Sequence, residues 1–202
     1  ICQNESAAFW MNVLTNLKAR GVEDILITST DNLKGFVEAI KSVYPQTKTQ
    51  ICIVHQLRNS LKFVVWKDKK KAAMALRQIY SAPDADIALT ELQHFDDEWG
   101  AKYPYIVKSW RSNWDHLSTF FEFPLQIRKI IYTTNLIENV NRGIRKYTKA
   151  RSILPGDQAV EKVVYLSLMQ AQKKWTMPQR DWPFMLIQFI NFFGQDRCYL
   201  QQ

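Results

Sequence analysis

Nowhere in this chain do ~18 or more uncharged apolar residues follow one another, so no membrane span is expected. Cysteine is scarce: Cys2, Cys52 and Cys198 are odd in number and show no disulfide-framework spacing. That usage fits a reducing compartment. There is no C-x-x-C and no H-x₃₋₅-H, which leaves a zinc site without enough ligands at suitable spacing. Internal repeats, low-complexity tracts and flexible linkers are also missing. The first residue is Ile rather than Met, and no signal peptide is visible, so a segment of a longer protein is the expectation.

Length and apolar content set the scale of what remains. At 202 residues, 47% apolar and with seven tryptophans, the chain can bury one substantial core, or a core carrying an insertion. Its net charge of +8 is unevenly spread. Residues 81–100 hold six acids and no Lys or Arg, leaving 27 cations against 13 acids elsewhere. Such an imbalance favours a polyanionic partner, most simply nucleic acid, although solubility alone explains it about as well.

Helical periodicity opens the chain at Phe9, Val13, Leu14 and Leu17, from about Glu5 to a C-terminal cap at Gly21. Residues 24–30 (DILITST) read as a buried strand, residues 33–43 as a helix ending before Pro45, and residues 49–54 (TQICIV) as a second strand. Strand, helix and strand with short connections predict a βαβ unit and two parallel strands. After His55 the signals are helical. Leu57, Leu61, Val64 and Val65 mark one helix, and residues 72–80 another. Ala88, Leu92, Phe95 and Trp99 form an apolar stripe that leaves the neighbouring acids on a solvated face. Val107, Trp110, Trp114, Leu117 and Phe121 continue the spacing, followed by helices at about 136–147, 157–174 and 182–193. The fold class expected is therefore α/β and mostly helical. Its organisation is a core segment (1–55), a helical insertion (56–125) and a C-terminal helical part (126–202).

Few residues in this frame could carry chemistry. Asp31 follows the first strand, at the carboxyl end where parallel sheets place their ligands. Capping of the next helix by Asp31 or Asn32 is the ordinary alternative. Glu138 stands at the head of a basic helix, where Glu138, Arg142, Arg145 and Lys149 share one face at spacings of 4, 3 and 4. Asn135-x-x-Glu138 also has the spacing of a capping box. Two carboxylates could serve a hard divalent cation, but they are a small set for a two-metal site. Cys52 and His55 form a C-x-x-H pair, read most plainly as a buried thiol and a hydrogen-bonded His at a strand end. Lys67, Lys69, Lys70 and Lys71 read as a solvated turn open to phosphate contact, and Trp110 and Trp114 as core residues.

Taken in order, NESAAFWMNVL (4–14), TDNLKGF (30–36), CIVHQLRNSLKFV (52–64), KYPYIVKSWRSNW (102–114), YTTNLIENVNRGIRK (132–146) and KKWTMPQRDW (173–182) resemble the Mutator-type transposases of bacterial insertion sequences. That family belongs to the DDE group, with a ribonuclease H-like catalytic fold. The resemblance implies that Asp31 is the second catalytic acid and Glu138 the third, together ligating Mg²⁺ or Mn²⁺. Cys52 and His55 match the family's C/D-x-x-H signature, and the helical block its insertion domain. Arg142, Arg145, Lys146 and Lys149 would contact DNA, both element ends and target. A homo-oligomer at full length and a cytoplasmic, nucleoid-associated location are further implications, with no membrane partner. The family's first Asp lies on a strand meander upstream of the Glu5 helix, which this sequence does not contain. A partial ribonuclease H-like core, inactive alone, is therefore expected. Two rival readings stay open: a non-catalytic DNA-binding remnant that interferes with full-length transposase, and a Cys–His hydrolase acting through Cys52.

Overall fold

A computed structural model describes residues 6–33, 35–132, 135–149, 156–176 and 181–198. Helix α1 (Ala7–Ala19) starts at Ser6, whose hydroxyl accepts the Phe9 N–H at 3.2 Å. It ends as Gly21 predicts. With φ at +93°, Gly21 donates its N–H to Lys18 and Val22 donates to Leu17, closing a Schellman turn. Strand β1 (Ile27–Thr30), helix α2 (Phe36–Val43) and strand β2 (Lys48–Ile51) follow. The two strands pair in parallel, Ile27 opposite Lys48 and Thr30 opposite Ile51, so the βαβ unit is present. The second strand is shorter than expected. Ile53, Val54 and His55 open helix α3 (Ile53–Leu61), with Cys52 as its N-cap, so His55 is helical and does not sit at a strand end.

The rest of the described chain is helical. Helices α4 (Trp66–Ser81) and α5 (Ala85–Phe95) lead into a π-turn at Asp96–Gly100. Helices α6 (Pro104–Ser112) and α7 (Trp114–Leu117) precede a 3₁₀ turn at Thr119–Glu122. The chain continues through α8 (Leu125–Tyr132), α9 (Asn135–Lys149), α10 (Asp157–Gln172), α11 (Trp182–Phe193) and α12 (Gln195–Cys198). Val64 and Val65 lie beyond α3, and Val65 is the extended N-cap of α4. The stripe Ala88, Leu92, Phe95 and Trp99 is buried as the periodicity requires, while Asp84, Asp86, Asp97 and Glu98 are exposed.

Two apolar clusters hold this arrangement. A smaller one joins α1 to α2 through Leu14, Ile40, Val43 and Tyr44. The larger one runs continuously from Ile51 and Ile53 through the helical block to Ile127 and Ile131. Trp110 lies in it, 1% exposed, with its indole N–H donated to the Ser60 hydroxyl at 2.9 Å. It is a core residue and offers no stacking face.

Gln50 locks the sheet to the helical block. Wholly buried on β2, it donates to the Leu117 carbonyl at 2.9 Å and accepts the Phe120 N–H at 2.7 Å. Thr119 adds a bond from its hydroxyl to the Thr49 carbonyl at 2.9 Å. On the far side of the block, Asp68 is held by the Lys102 ammonium and by the Tyr103 hydroxyl, the latter at 2.6 Å. The hydrogen bonds from Lys102 and Tyr103 hold the Asp68 carboxyl below its ordinary value of 3.8.

Gln50→Leu keeps the volume but strands two buried backbone groups. It should cost about 2–4 kcal/mol, read as a lower urea midpoint. Because the folded Asp68 pKa is depressed, its stabilising contribution is present above the unfolded value near 3.8. That contribution is lost as pH falls through the lower folded value. Asp68→Asn should therefore flatten the acid limb of a stability-versus-pH curve below about pH 4, with the unmodified chain losing its advantage there.

Candidate functional site

The carboxyl end of β1 opens onto a cleft beside the helix that follows β2. Above Thr30 and Ile51 the ladder gains one more rung, from the Cys52 N–H to the Thr30 carbonyl at 2.7 Å. This rung fixes the start of α3 beside the loop that leaves β1. Cys52 itself is fully buried, and Ile53 behind it is core. The first turns of α3 then carry His55 and Arg58, three residues apart and on one side of the helix.

Helix α9 supplies the opposite wall. Ile137, Glu138, Asn141, Arg142 and Arg145 follow helical spacing, and all line the cleft. From the sheet side come Ser29, Thr30 and Asp31, and Trp10 of α1 packs alongside. The cleft encloses about 870 Å³. Asp31 and Glu138, 107 positions apart in sequence, thus face one space together with His55, Arg142 and Arg145. Lys146 and Lys149 are exposed in the last turn of α9 and do not line it. The basic face is therefore divided between cleft and outer surface.

Asp31 is not a helix cap, nor is Asn32. The N-cap of α2 is Gly35, at φ +78°, where an added Cβ would collide with the Ala7 side chain. Asn32 instead adopts φ +69° and donates its side-chain amide to the Asn113 carbonyl oxygen at 3.2 Å. The Asp31 carboxylate is exposed and has no hydrogen bond or ion pair among the described residues. The capping box proposed for Glu138 depends on the Asn135 side chain, which lies outside the described residues.

Glu138 is held by Arg58 in a forked pair, Nη1 to Oε1 at 2.8 Å and Nη2 to Oε2 at 3.4 Å. His55 Nε2 stands 3.9 Å from Oε1. The Arg58 hydrogen bonds push the Glu138 carboxyl below its ordinary range, against partial desolvation, with His55 and Arg142 adding charge. Arg58 is raised in turn by Glu138. Both side chains retain solvent contact, so the pair contributes modestly to stability and mainly sets the carboxylate's orientation. Arg58 is absent from the site residues expected from sequence. Its signal was its place three residues after His55, within the C-x-x-H segment.

Several buried polar atoms at the cleft have no hydrogen-bond partner among the described residues: Trp10 Nε1, Thr30 Oγ1 and His55 Nδ1. The hydrogen-bonded His55 expected from sequence thus lacks a bond at its buried nitrogen. Thr28 Oγ1, Thr49 Oγ1 and Trp99 Nε1, which do not line the cleft, also have no partner among the described residues, so such atoms do not by themselves mark a ligand site. Asp31 and Glu138 offer hard oxygen donors of the type Mg²⁺ uses. Among the described residues, however, no three His, Cys, Asp or Glu side chains cluster as metal ligands. The donor set is chemically suited to a divalent cation and numerically short. Cys52 and Cys198 are not disulfide-bonded, and Cys2 lies outside the described residues.

The family model for "Transposase, Mutator family" matches residues 1–178. The transposase for insertion sequence element ISRM3 of Rhizobium meliloti (strain 1021) is 48% identical over 194 residues, covering 96% of this chain and 48% of that protein. A probable insertion-sequence transposase of Corynebacterium diphtheriae is 41% identical over 175 residues, covering 86% of this chain and 51% of that protein. The IS905 transposase of Lactococcus lactis subsp. lactis (strain IL1403) is 35% identical over 162 residues, or 80% and 41%. The chain spans about half the length of these curated relatives. With a family match over most of its residues and relatives of this identity, the chain belongs to the Mutator family of transposases.

Proposed function

We propose that this chain supplies the second and third acids, Asp31 and Glu138, of a DDE-type active site that cuts and joins DNA strands in transposition of an insertion sequence. The supporting observation is their convergence on one cleft from opposite walls, beside Arg142 and Arg145. Residues 24–51 and the α9 helix would form part of a ribonuclease H-like core, with residues 56–125 as its helical insertion. In the reaction, water attacks a phosphodiester and frees a 3′ hydroxyl, which then attacks target DNA in line. Asp31 and Glu138 would hold Mg²⁺ or Mn²⁺, which supplies charge stabilisation at the attacking and leaving oxygens. Arg142 and Arg145 would seat the phosphates. Arg58 keeps the Glu138 carboxylate ionised and oriented until the cleft is filled. A third carboxylate, the family's first Asp, is needed to complete the set, so this chain alone is proposed to be inactive.

A second reading, a DNA-binding remnant without catalysis, draws on the forked Arg58 pair, which already engages both Glu138 oxygens. The two separate cleanly by experiment. In a protein that joins this chain to a strand meander bearing the first Asp, Asp31→Asn or Glu138→Gln should lower metal-dependent strand cleavage by more than about a hundredfold. Duplex binding should be unchanged in both variants. Equal cleavage by either variant, or near-parental nicking by the chain alone, refutes the catalytic assignment. Salt-sensitive DNA binding without cleavage in the joined protein favours the remnant.

Removing cleft cations tests the binding half. Arg142→Ala with Arg145→Ala should weaken duplex binding independently of sequence. The slope of log affinity against log salt should become shallower by about 0.9 for each phosphate that is no longer neutralised.

A further inference from the structure

Trp66 is 91% exposed, and neighbouring Phe63 is 69% exposed. Burying either ring further would be favourable, yet at the corner between α3 and α4 Trp66 stands almost wholly in water and Phe63 meets only the edge of the Tyr105 ring and the Lys62 ammonium. On α4, Trp66, Lys70, Met74 and Arg77 lie along one outer face, opposite the buried Ala72, Leu76 and Ile79. Lys67, Lys69 and Lys71 flank that face. None of these lysines forms an ion pair within 4 Å among the described residues. The one acid of the run, Asp68, is held by Lys102 and Tyr103, with Lys67 adding charge from nearby. Lys62 stands with its ammonium 5.3 Å from the centre of the Phe63 ring.

This corner is continuous with the cleft. Arg58 on α3 and Lys62 at its C-cap are four residues apart, so two cations lead from Glu138 towards the aromatic corner. A duplex offers phosphates to such a line but keeps its base faces stacked. Unpaired nucleotides offer both, and an exposed ring among lysines is the combination that binds them.

We propose that the α3–α4 corner is a binding site for single-stranded nucleic acid, in which an unpaired base stacks on Trp66. Lys62, Lys67 and Lys70 would take the flanking phosphates. Charge complementarity selects this occupant over an apolar protein partner, because a hydrophobic interface would have to bury those lysines unpaired. The proposal rests on the DNA-binding reading above and gives it a second contact beside the cleft.

The test uses the 202-residue chain with two probes, a labelled oligothymidine and a labelled duplex of equal length, in fluorescence anisotropy titrations at low salt. Trp66→Ala should weaken oligothymidine binding about fivefold or more while duplex affinity stays within about twofold, and Trp66→Phe should retain most of the affinity. The melting temperature should not move, since the side chain makes no core contact. Unchanged oligothymidine affinity in Trp66→Ala, with duplex binding intact, overturns this proposal alone. So does an equal loss for both probes, or an effect confined to oligomeric state in sedimentation. Failure of the unmodified chain to bind either probe overturns the DNA-binding reading with it.

Discussion

The hydrogen bond from Cys52 N–H to the Thr30 carbonyl fixes the height at which the cleft opens. It extends a four-residue parallel ladder by one rung, and β2 turns into helix at the level where β1 ends. Asp31 leaves β1 at that height, and the first turns of α3 rise beside it. Had β2 continued through Val54, His55 and Arg58 would emerge farther along the chain, away from Asp31. Gln50 and Thr119 secure the same level from below by tying β2 to the helical block. A short sheet is thus held in register by side chains as much as by its own ladder.

Around that fixed height the charges are arranged in opposition. Arg58 and Glu138 form a forked pair across the cleft, with His55 and Arg142 adding positive potential at the carboxylate. Asp31 stays unpaired among the described residues. One acid is therefore oriented and the other left open. An anionic ligand entering here meets Arg142 and Arg145, whereas a cation meets Asp31 first.

Much of this was legible in the sequence, and the misses have specific causes. The parallel βαβ unit, the Gly21 stop, the buried stripe on α5 and the bounds of α11 follow from periodicity and backbone preference. Ile53 and Val54 look like strand because they are apolar and β-branched. Burial of Ile53 under the helical block overrides that preference. Asp31 looked like a cap, but α2 begins later, at a glycine that lets α1 approach closely. Arg58 has only a faint local signal, its place three residues after His55, because its partner is 80 positions away. No local pattern encodes such a pairing. Trp66 was passed over because its lysine neighbours read as a solvated turn, and only its exposure in the fold distinguishes it from the buried Trp110.

The loop after β1 has one further property. Asn32 sits in a left-handed conformation and reaches across to Asn113, at the joint between α6 and α7. A single exposed amide bond of this kind contributes about 1 kcal/mol, which thermal motion readily breaks and remakes. It acts as a catch rather than a weld. While it is closed, the loop that carries Asp31 is tied to the α6–α7 joint. The helical block therefore does more than shelter the sheet: through one asparagine pair it is fastened next to the only unengaged acid of the cleft among the described residues.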